Sequence, residues 1–218
     1  MKCVMVLALG VLLGGTLQAG VLDGLMFHYD FEELGEDMVV PDRSGNGYDA
    51  QVGGSQAFIL DEGVFGKAGN FQEGSGPVYL DLPAGIPHEE IPTDAMTVAV
   101  WVKHTAIVDS MEMFMAMSFD PTKQLCHFEL KPGDTARFLL RTPIDPAQDI
   151  ISFNDVGSVP AEEWVHCAGT YDRNAGVGRL YIDGELIGEQ AATRELLNNW
   201  DTGARVGLTA DGARPFYV

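Results

Sequence analysis

Apolar and polar residues alternate with a period of two along most of the chain from residue 25 onward, and Gly, Pro, Asn and Asp interrupt the alternation. A period of two is typical of strands that bury one face and expose the other. Many short strands with turn residues between them predict an all-β antiparallel sandwich or barrel. The longest helix candidate, TRELLNN at 193–199, has room for one or two turns. The segments that alternate are LMFHYDF, AFIL, VYLDL, MTVAVWVKH, EMFMAMS, QLCHFELK, ARFLLR, EWVHCAGTY, RLYID, ELIGEQ and ARVGL.

The strongest local signal is the stretch GRLYIDGELIGE at 178–189, where Asp183 and Gly184 separate two alternating segments. Asp-Gly favours the tight turns that require positive φ, which glycine tolerates. A two-residue loop would pair Ile182 with Glu185, Tyr181 with Leu186, and Leu180 with Ile187.

Residues 1–19 have the pattern of a secretory signal peptide. Lys2 precedes a 12-residue apolar run, VMVLALGVLLGG, and LQA before Gly20 ends in a small residue. The run is shorter than the roughly 20 residues that a membrane span needs. We therefore expect cleavage after Ala19, a single domain over 20–218, and a secreted or exported protein (periplasm or cell surface) without membrane insertion after cleavage.

The chain is strongly acidic, with 13 Lys and Arg against 32 Asp and Glu and a net charge of −19. Losing Lys2 with the leader would make the net charge −20. Such a charge disfavours nucleic acid and anionic membranes as partners. Clustered carboxylates can be relieved by a bound cation, although acids also simply keep a surface soluble.

Two cysteines remain after the leader, Cys126 and Cys167, and both lie in strand-like segments. In an exported protein they could form a disulfide bond. The alternative is a pair of buried free thiols that pack as small apolar groups.

Three ordered stretches resemble the laminin G-like jelly rolls of the concanavalin A-like lectin and glucanase group. They are MFHYDFEE…DRSGNGYDAQV, MTVAVWVKH and EEWVHCAGTYDRNAGVGRLYIDGELIGE. The resemblance implies a jelly-roll sandwich of two antiparallel sheets packed face to face. Members of this family usually close with a further strand that pairs near the first one. The sequence stops at ARPFYV, about where that strand should begin, so the expected fold lacks its final strand.

The stretch DRSGNGYD is the best local candidate for a metal site. Asp42, Ser44, Asn46 and Gly47 match positions one, three, five and six of an EF-hand loop, but Gly53 stands where the bidentate Glu should be. The family resemblance implies a structural calcium site in which Glu32 joins Asp42, Ser44 and Asn46. The alternative is an Asx-type turn in which these side chains bind their own backbone.

No sequence motif for catalysis is present. No Glu is followed by an Asp two residues later, so the E-x-D-x-E carboxylates of glucanases with this fold are missing. G-x-S-x-G, H-E-x-x-H and G-x-x-x-x-G-K-[ST] are missing as well. The five histidines lack metal-ligand spacing. The alternating methionines at 111, 113, 115 and 117 indicate a face that points into the core.

Carbohydrate binding would use exposed aromatic rings beside polar side chains. Trp101 and Trp164 lie in apolar patterns and are assigned to the core. Trp200, with Asn199 and Asp201 beside it, is the candidate ligand-binding group, and its alternative role is to plug the end of the sandwich. We expect a non-catalytic recognition module for glycan or extracellular or cell-surface protein, with possible calcium support. A glycan-active enzyme (hydrolase or lyase) with an unrecognised carboxylate site and a structural adhesion or envelope protein remain alternatives.

Overall fold

The computed structural model describes residues 8–10, 24–54, 58–71, 76–105, 107, 109–117, 124–142, 148–197, 199–200 and 203–217. Over these residues the chain is almost entirely β, with single-turn 3-10 helices at Glu36–Met38 and His88–Glu90. The strands, in chain order, are β1 (Ala8–Gly10), β2 (Leu25–His28), β3 (Val39–Val40), β4 (Ala50–Gly54), β5 (Ile59–Glu62), β6 (Lys67–Asn70), β7 (Val78–Asp81), β8 (Ala95–Val102), β9 (Met111–Met117), β10 (Gln124–Lys131), β11 (Thr135–Thr142), β12 (Gln148–Val156), β13 (Val165–Asp172), β14 (Val177–Ile182), β15 (Glu185–Ala191) and β16 (Ala204–Val206).

The strands form two large antiparallel sheets and one small one. The six-stranded sheet has the order β15-β14-β13-β8-β1-β2, and the eight-stranded sheet has the order β12-β11-β10-β9-β16-β7-β4-β3. Strands β5 and β6 pair separately. The prediction of an all-β antiparallel jelly-roll sandwich is confirmed.

The hydrophobic core lies between the two large sheets. Phe27 of the six-stranded sheet meets Phe114 of the eight-stranded sheet, with ring centroids 6.1 Å apart. Gly169 of β13 lies directly against the Phe138 ring of β11, because a Cβ there would stand 2.6 Å from ring atoms. The sheets can approach at this point only because β13 carries no side chain there.

The Asp183-Gly184 hairpin has the predicted turn but a partly shifted register. Both turn residues have positive φ (49° and 81°), and Ile182 pairs with Glu185 and Tyr181 with Leu186, as expected. Leu180, however, pairs with Gly188 instead of Ile187, because a bulge inserts one residue into β15.

Two local predictions need correction. Residues 192–197 form no helix; Leu196 N–H instead bonds to the Thr93 carbonyl (2.8 Å), and the Arg194 carbonyl accepts the Tyr171 hydroxyl. The segment thus bonds to its neighbours rather than to itself. Conversely, β12 was not among the predicted strands, and it pairs with β11 at the edge of the eight-stranded sheet.

The cysteines and methionines also occupy definite places. Cys126 on β10 and Cys167 on β13 belong to different sheets and are both free and buried, so the structure has two buried thiols where a disulfide was one expectation. Burial raises the pKa of both thiols.

A bulge in β9 divides the alternating methionines between the two faces of the strand. Met113 joins the core, whereas Met115 pairs with His127 and Arg205 on the opposite face.

Among the residues that the structure describes, no helix has the length and hydrophobicity needed to cross a membrane.

Candidate functional site

The outward face of the six-stranded sheet carries a row of aromatic side chains. Strand β8 turns Val98, Val100 and Val102 into the core, so alternation directs Trp101 outward, where it is only partly buried. Its neighbour across the strand pair is His166 of β13. The centroids of these two rings lie 5.2 Å apart with an interplanar angle of 55°.

Phe65 completes this group from a separate segment. It lies in the turn between β5 and β6, which the Gly63 N–H closes by bonding to the Gly66 carbonyl (2.8 Å). Its ring meets Trp101 edge to face at 6.2 Å and 78°, and the side chain is 74% exposed. We call Phe65, Trp101 and His166 the aromatic platform.

Polar and small groups border the aromatic platform. Asp183 accepts a hydrogen bond from the His166 N–H (2.8 Å) through Oδ1, and burial lowers the pKa of the His166 ring, so the ring is neutral at pH 7. Ala99 and Ala168 pair beside the rings and leave room above the sheet. In such an arrangement an aromatic ring face can stack on a sugar ring. The neighbouring carboxylate can bind the sugar hydroxyls, and the small side chains leave space for the ligand.

Sequence reasoning missed this platform because Trp101 was assigned to the core by its apolar neighbours. The signal was available in MTVAVWVKH. Trp101 lies two or four positions from Lys103 and Thr97, and therefore on their face of the strand, whereas the three buried valines lie on the other face. The contact with Phe65 could not be seen, since it joins residues from distant segments.

The structure brings together three of the four predicted calcium ligands. Asp42 accepts the N–H groups of His28 (2.8 Å) and Ser44 (2.9 Å) through Oδ1, and the Ser44 hydroxyl (2.6 Å) and Tyr48 N–H (3.1 Å) through Oδ2. Asn46 donates from Nδ2 to the carbonyls of Leu25 and Met26. All four lone-pair sites of the Asp42 carboxylate are therefore used within the chain, and a cation could bind only by displacing these hydrogen bonds.

Glu32, the fourth predicted ligand, makes its hydrogen bonds to a different segment. Its Oε1 accepts the Lys67 N–H (3.0 Å), and the Lys67 ammonium donates to the Glu32 backbone carbonyl (3.1 Å). The carboxylate also lies against Gly66, where a Cβ would stand 1.9 Å from Oε1. Glu32 thus holds the turn that presents Phe65.

The predicted ligand-binding group around Trp200 lies inside the sandwich. Trp200 is 3% exposed, and its ring packs on Phe114 at 6.2 Å. It lines a cavity of about 10 Å³, the space of a single water molecule. Asn199 is partly buried beside it, and Asp201 lies outside the described residues. A ring this buried plugs the sandwich and offers no face for stacking in this arrangement.

The outward face of the eight-stranded sheet carries a second cluster, formed by Glu112, His127 and Glu129 on β9 and β10. The ring nitrogen Nδ1 of His127 lies 2.6 Å from Glu112 Oε2, and the Phe128 N–H donates to Glu112 Oε1 (3.1 Å). Arg137 (2.8 Å) and Arg214 bind the two oxygens of Glu129. Both carboxylates are 0% exposed.

Burial controls the protonation of this cluster. It raises the pKa of Glu112 well above its usual range, with the nearby Glu129 adding to the effect. It lowers the pKa of His127 to about 4. Burial thus favours the uncharged forms of both groups, a protonated Glu112 and a neutral imidazole, while Arg137 and Arg214 form ion pairs with Glu129.

This buried cluster has the donor types of a metal site, two carboxylates and an imidazole. One ligand atom from each of the three residues lies within 4.8 Å of the other two. Its groups are nevertheless already satisfied: Arg137 and Arg214 neutralise Glu129, and Glu112 bonds to His127. The two glutamates are also closed to substrate as the structure stands. The arrangement is that of an internal polar network that joins β9, β10, β11 and the segment after β16.

Comparison with known proteins agrees with the fold. The family model of the concanavalin A-like lectin/glucanases superfamily matches residues 79–218. No curated protein matches the chain significantly.

Similar solved structures are binding domains of botulinum neurotoxins. The DC binding domain in complex with SialylT has 14% identity and a TM-score of 0.55, and covers 77% of this chain and 40% of its own. The same domain type in complex with rat synaptotagmin II has 15% identity and a TM-score of 0.53, with 77% and 40% covered. A type C neurotoxin described as interacting with two ganglioside molecules has 15% identity and a TM-score of 0.53, with 77% and 39% covered. The chain therefore spans about two fifths of the length of these structures, and the likeness at this identity concerns the fold.

Proposed function

The chain belongs to the concanavalin A-like lectin/glucanase superfamily, and from this premise we propose that it is an exported, non-catalytic recognition module that binds glycans through the aromatic platform. The observation that carries the proposal is the edge-to-face pair of the exposed Phe65 and the partly buried Trp101, which stands beside His166 and Asp183. An apolar ring face for the sugar and a carboxylate for its hydroxyls are what glycan recognition requires.

Charge favours an uncharged glycan over an acidic one. The chain carries a net charge of −19, and Asp183 and Glu32 lie at the two ends of the aromatic platform. An anionic sugar would approach against this field, whereas a neutral or amino sugar would not. Sialylated glycans, of the kind that the neurotoxin domains engage, therefore serve as the informative contrast in a binding screen.

Protein surfaces are a second candidate ligand class. Leu186, 52% exposed, and Tyr181 continue the outward face of the same sheet along β14 and β15. Together with Phe65 they extend the exposed apolar surface beyond what one sugar ring covers, and exposed apolar patches mark protein contacts.

The test is glycan-array binding by the full chain and by Phe65→Ala. We expect binding to neutral or amino sugars that falls about tenfold in the variant, because Phe65 contributes an exposed contact and little packing. Met38→Ala is the matched control, since Met38 is also an exposed apolar side chain (37%) but lies outside the platform.

The competing hypotheses give different results in the same assay. Binding that is unchanged by Phe65→Ala would remove the platform from the proposal. Binding to no glycan would favour a protein ligand or a structural adhesion protein. Hydrolysis of a bound glycan that one Glu or Asp substitution abolishes would establish an enzyme instead.

A further inference from the structure

We propose that the aromatic platform is the first of two connected sugar subsites, and that the second lies at Tyr181 on the same sheet face. The ligand of this extended site is a linear oligosaccharide that runs across the strands, not a single terminal sugar. This inference rests on the proposed function, since it extends the glycan site to a second position and specifies the length of its ligand.

Side chains on the outward face of the six-stranded sheet stand in three rows that cross the strands, because paired residues of neighbouring strands lie side by side. The first row is aromatic, the second begins with small side chains and ends with large ones, and the third is polar. In this order, the rows are Trp101 and His166; Ala99, Ala168, Tyr181 and Leu186; and Thr97, Thr170, Arg179 and Glu189. The second row is therefore low beside the platform and high at Tyr181.

The low end of the second row is the floor of a groove. Ala99 and Ala168 pair with each other and raise only methyl groups above the sheet. The aromatic first row stands along one side of this floor, and the polar third row stands along the other. Phe65 adds to the aromatic wall, since its exposed ring contacts Trp101. A glycan that stacks on the platform can therefore continue along the groove toward β14.

Tyr181 ends the groove with a further aromatic ring. It is only partly buried, and its neighbour on β15, Leu186, is 52% exposed. Arg179 lies two residues away on the same face and donates from Nε to Glu189 (2.7 Å). A sugar at this position would find a ring to stack on and charged groups for its hydroxyls, which is the chemistry of the platform repeated.

The distance between the two aromatic groups sets the minimum length of the ligand. Trp101 and Tyr181 lie on strands separated by β13 and are offset by two residues along the strand, so their backbone positions are roughly 12 Å apart. This distance is wider than one sugar ring, so a ligand that contacts both groups consists of linked sugars. Linked contacts share one loss of translational freedom, and the affinity should therefore rise with chain length.

The test is NMR titration of the full chain with series of β-linked glucose, galactose, mannose and glucosamine, each from the monosaccharide to the tetrasaccharide. We expect a tetrasaccharide to bind at least about tenfold more tightly than its own monosaccharide. Tyr181→Ala should weaken tetrasaccharide binding about tenfold and leave monosaccharide binding unchanged, whereas Phe65→Ala should weaken both. Tyr79→Ala is the matched control, because Tyr79 is also a partly buried tyrosine on an outward face, but on the eight-stranded sheet.

A second variant, Ala168→Leu, tests the groove with both aromatic groups intact. The larger side chain fills the floor, so it should remove most of the advantage that the tetrasaccharide has over the monosaccharide. Circular dichroism melts confirm that each variant is folded, and Ala168→Leu decides the question if Tyr181→Ala is not.

Failure of the second subsite and failure of the proposed function give different results. A tetrasaccharide that binds no more tightly than its monosaccharide would overturn the second subsite, as would a chain-length effect that persists in Tyr181→Ala and Ala168→Leu. A loss in Tyr79→Ala instead would place the longer chain on the eight-stranded sheet. In these cases, sensitivity to Phe65→Ala leaves the proposed function standing. A folded protein that binds none of these sugars and no array glycan would contradict the proposed function itself and assign this face to a protein ligand.

Discussion

Glu129 shows how one residue depends on its neighbours for its charge. The side chain is 0% exposed, and its two oxygens bind Arg137 and Arg214, which come from β11 and from the segment after β16. A buried carboxylate survives ionised only when such partners replace the lost hydration. Arg214 is thereby tied to the eight-stranded sheet.

Replacing Glu129 with Gln should lower the free energy of unfolding by about 3 kcal/mol or more, because two partly buried guanidinium groups lose their counter-ion. Urea denaturation of the full chain measures this loss. Asp149→Asn is the control: Asp149 also pairs with an arginine, Arg141 (3.0 Å), but is 44% exposed. An exposed pair contributes at most about 1 kcal/mol.

Equal losses in the two variants would contradict the assignment of Glu129 to a buried network. So would an unfolding midpoint for Glu129→Gln that matches the unchanged protein.

At the scale of elements, the 42–46 loop is the cap of an edge strand. Strand β2 would otherwise expose backbone groups on its outer side, and the side chains of Asp42, Ser44 and Asn46 bind them. Because polar side chains take the place of a neighbouring strand, the sheet ends at β2 without an open edge.

Asp42→Ala should therefore destabilise the chain by about 2 kcal/mol or more in chelator, since it removes four hydrogen bonds at once, three of them from backbone N–H groups. The same melts with added calcium test the metal prediction: if the native state binds calcium, the melting temperature of the unchanged protein rises and that of Asp42→Ala does not.

Asp211→Ala is the control, because Asp211 also accepts hydrogen bonds within a turn (Thr209 hydroxyl and Ala213 N–H) but caps no strand. If calcium does not change the melting temperature of the unchanged protein, the calcium prediction is wrong and the loop serves only as a cap. Equal destabilisation by the two substitutions in chelator would contradict the capping role.

For the whole molecule, the Glu112–His127 pair links stability to pH. Unfolded, the two groups titrate near 4.5 and 6.5; folded, burial holds the pKa of Glu112 well above 4.5 and lowers the pKa of His127 to about 4. Between pH 4.5 and 6.5 both states carry one proton, on Glu112 when folded and on His127 when unfolded, so this pair leaves stability flat. Glu129, Arg137 and Arg214 face the pair throughout.

Above pH 6.5 the unfolded pair holds no proton while the folded pair keeps one, so stability should fall by about 1.4 kcal/mol per pH unit until the folded pKa of Glu112 is reached. Glu112→Gln should be flat in this range, because His127 is then neutral in both states. Urea denaturation from pH 6.5 to about 7.5, below the titration of unfolded cysteines, measures the slope. Parallel slopes for the two proteins would exclude Glu112 as the source.

The strand pattern came from the sequence wherever alternation was regular. MTVAVWVKH and QLCHFELK correspond nearly residue for residue to β8 and β10. In a strand with one buried face, every second residue is apolar, so the pattern is visible in the sequence. The Asp183-Gly184 turn followed for the same local reason. β12 was missed because its alternation is interrupted by the pair Ile150 and Ile151, both buried through a bulge against β11.

The candidate sites depended on contacts that no local pattern contains. Phe65 reaches Trp101 from another segment, and Glu112 reaches His127 and Glu129 only through the pairing of β9 with β10. Glu32 was expected near Asp42 but holds the Phe65 turn instead. In each case the partner is chosen by strand register and loop path over long separations.

The sequence by itself determined that the chain is an acidic, antiparallel β sandwich, since charge and period-two alternation are properties of single segments. Only the tertiary structure decided that Phe65 meets Trp101 on the outward face, which acids are buried, and that β1 lies between β2 and β8. Those outcomes depend on which edges and faces meet, and a one-residue change of register or a single bulge reverses them.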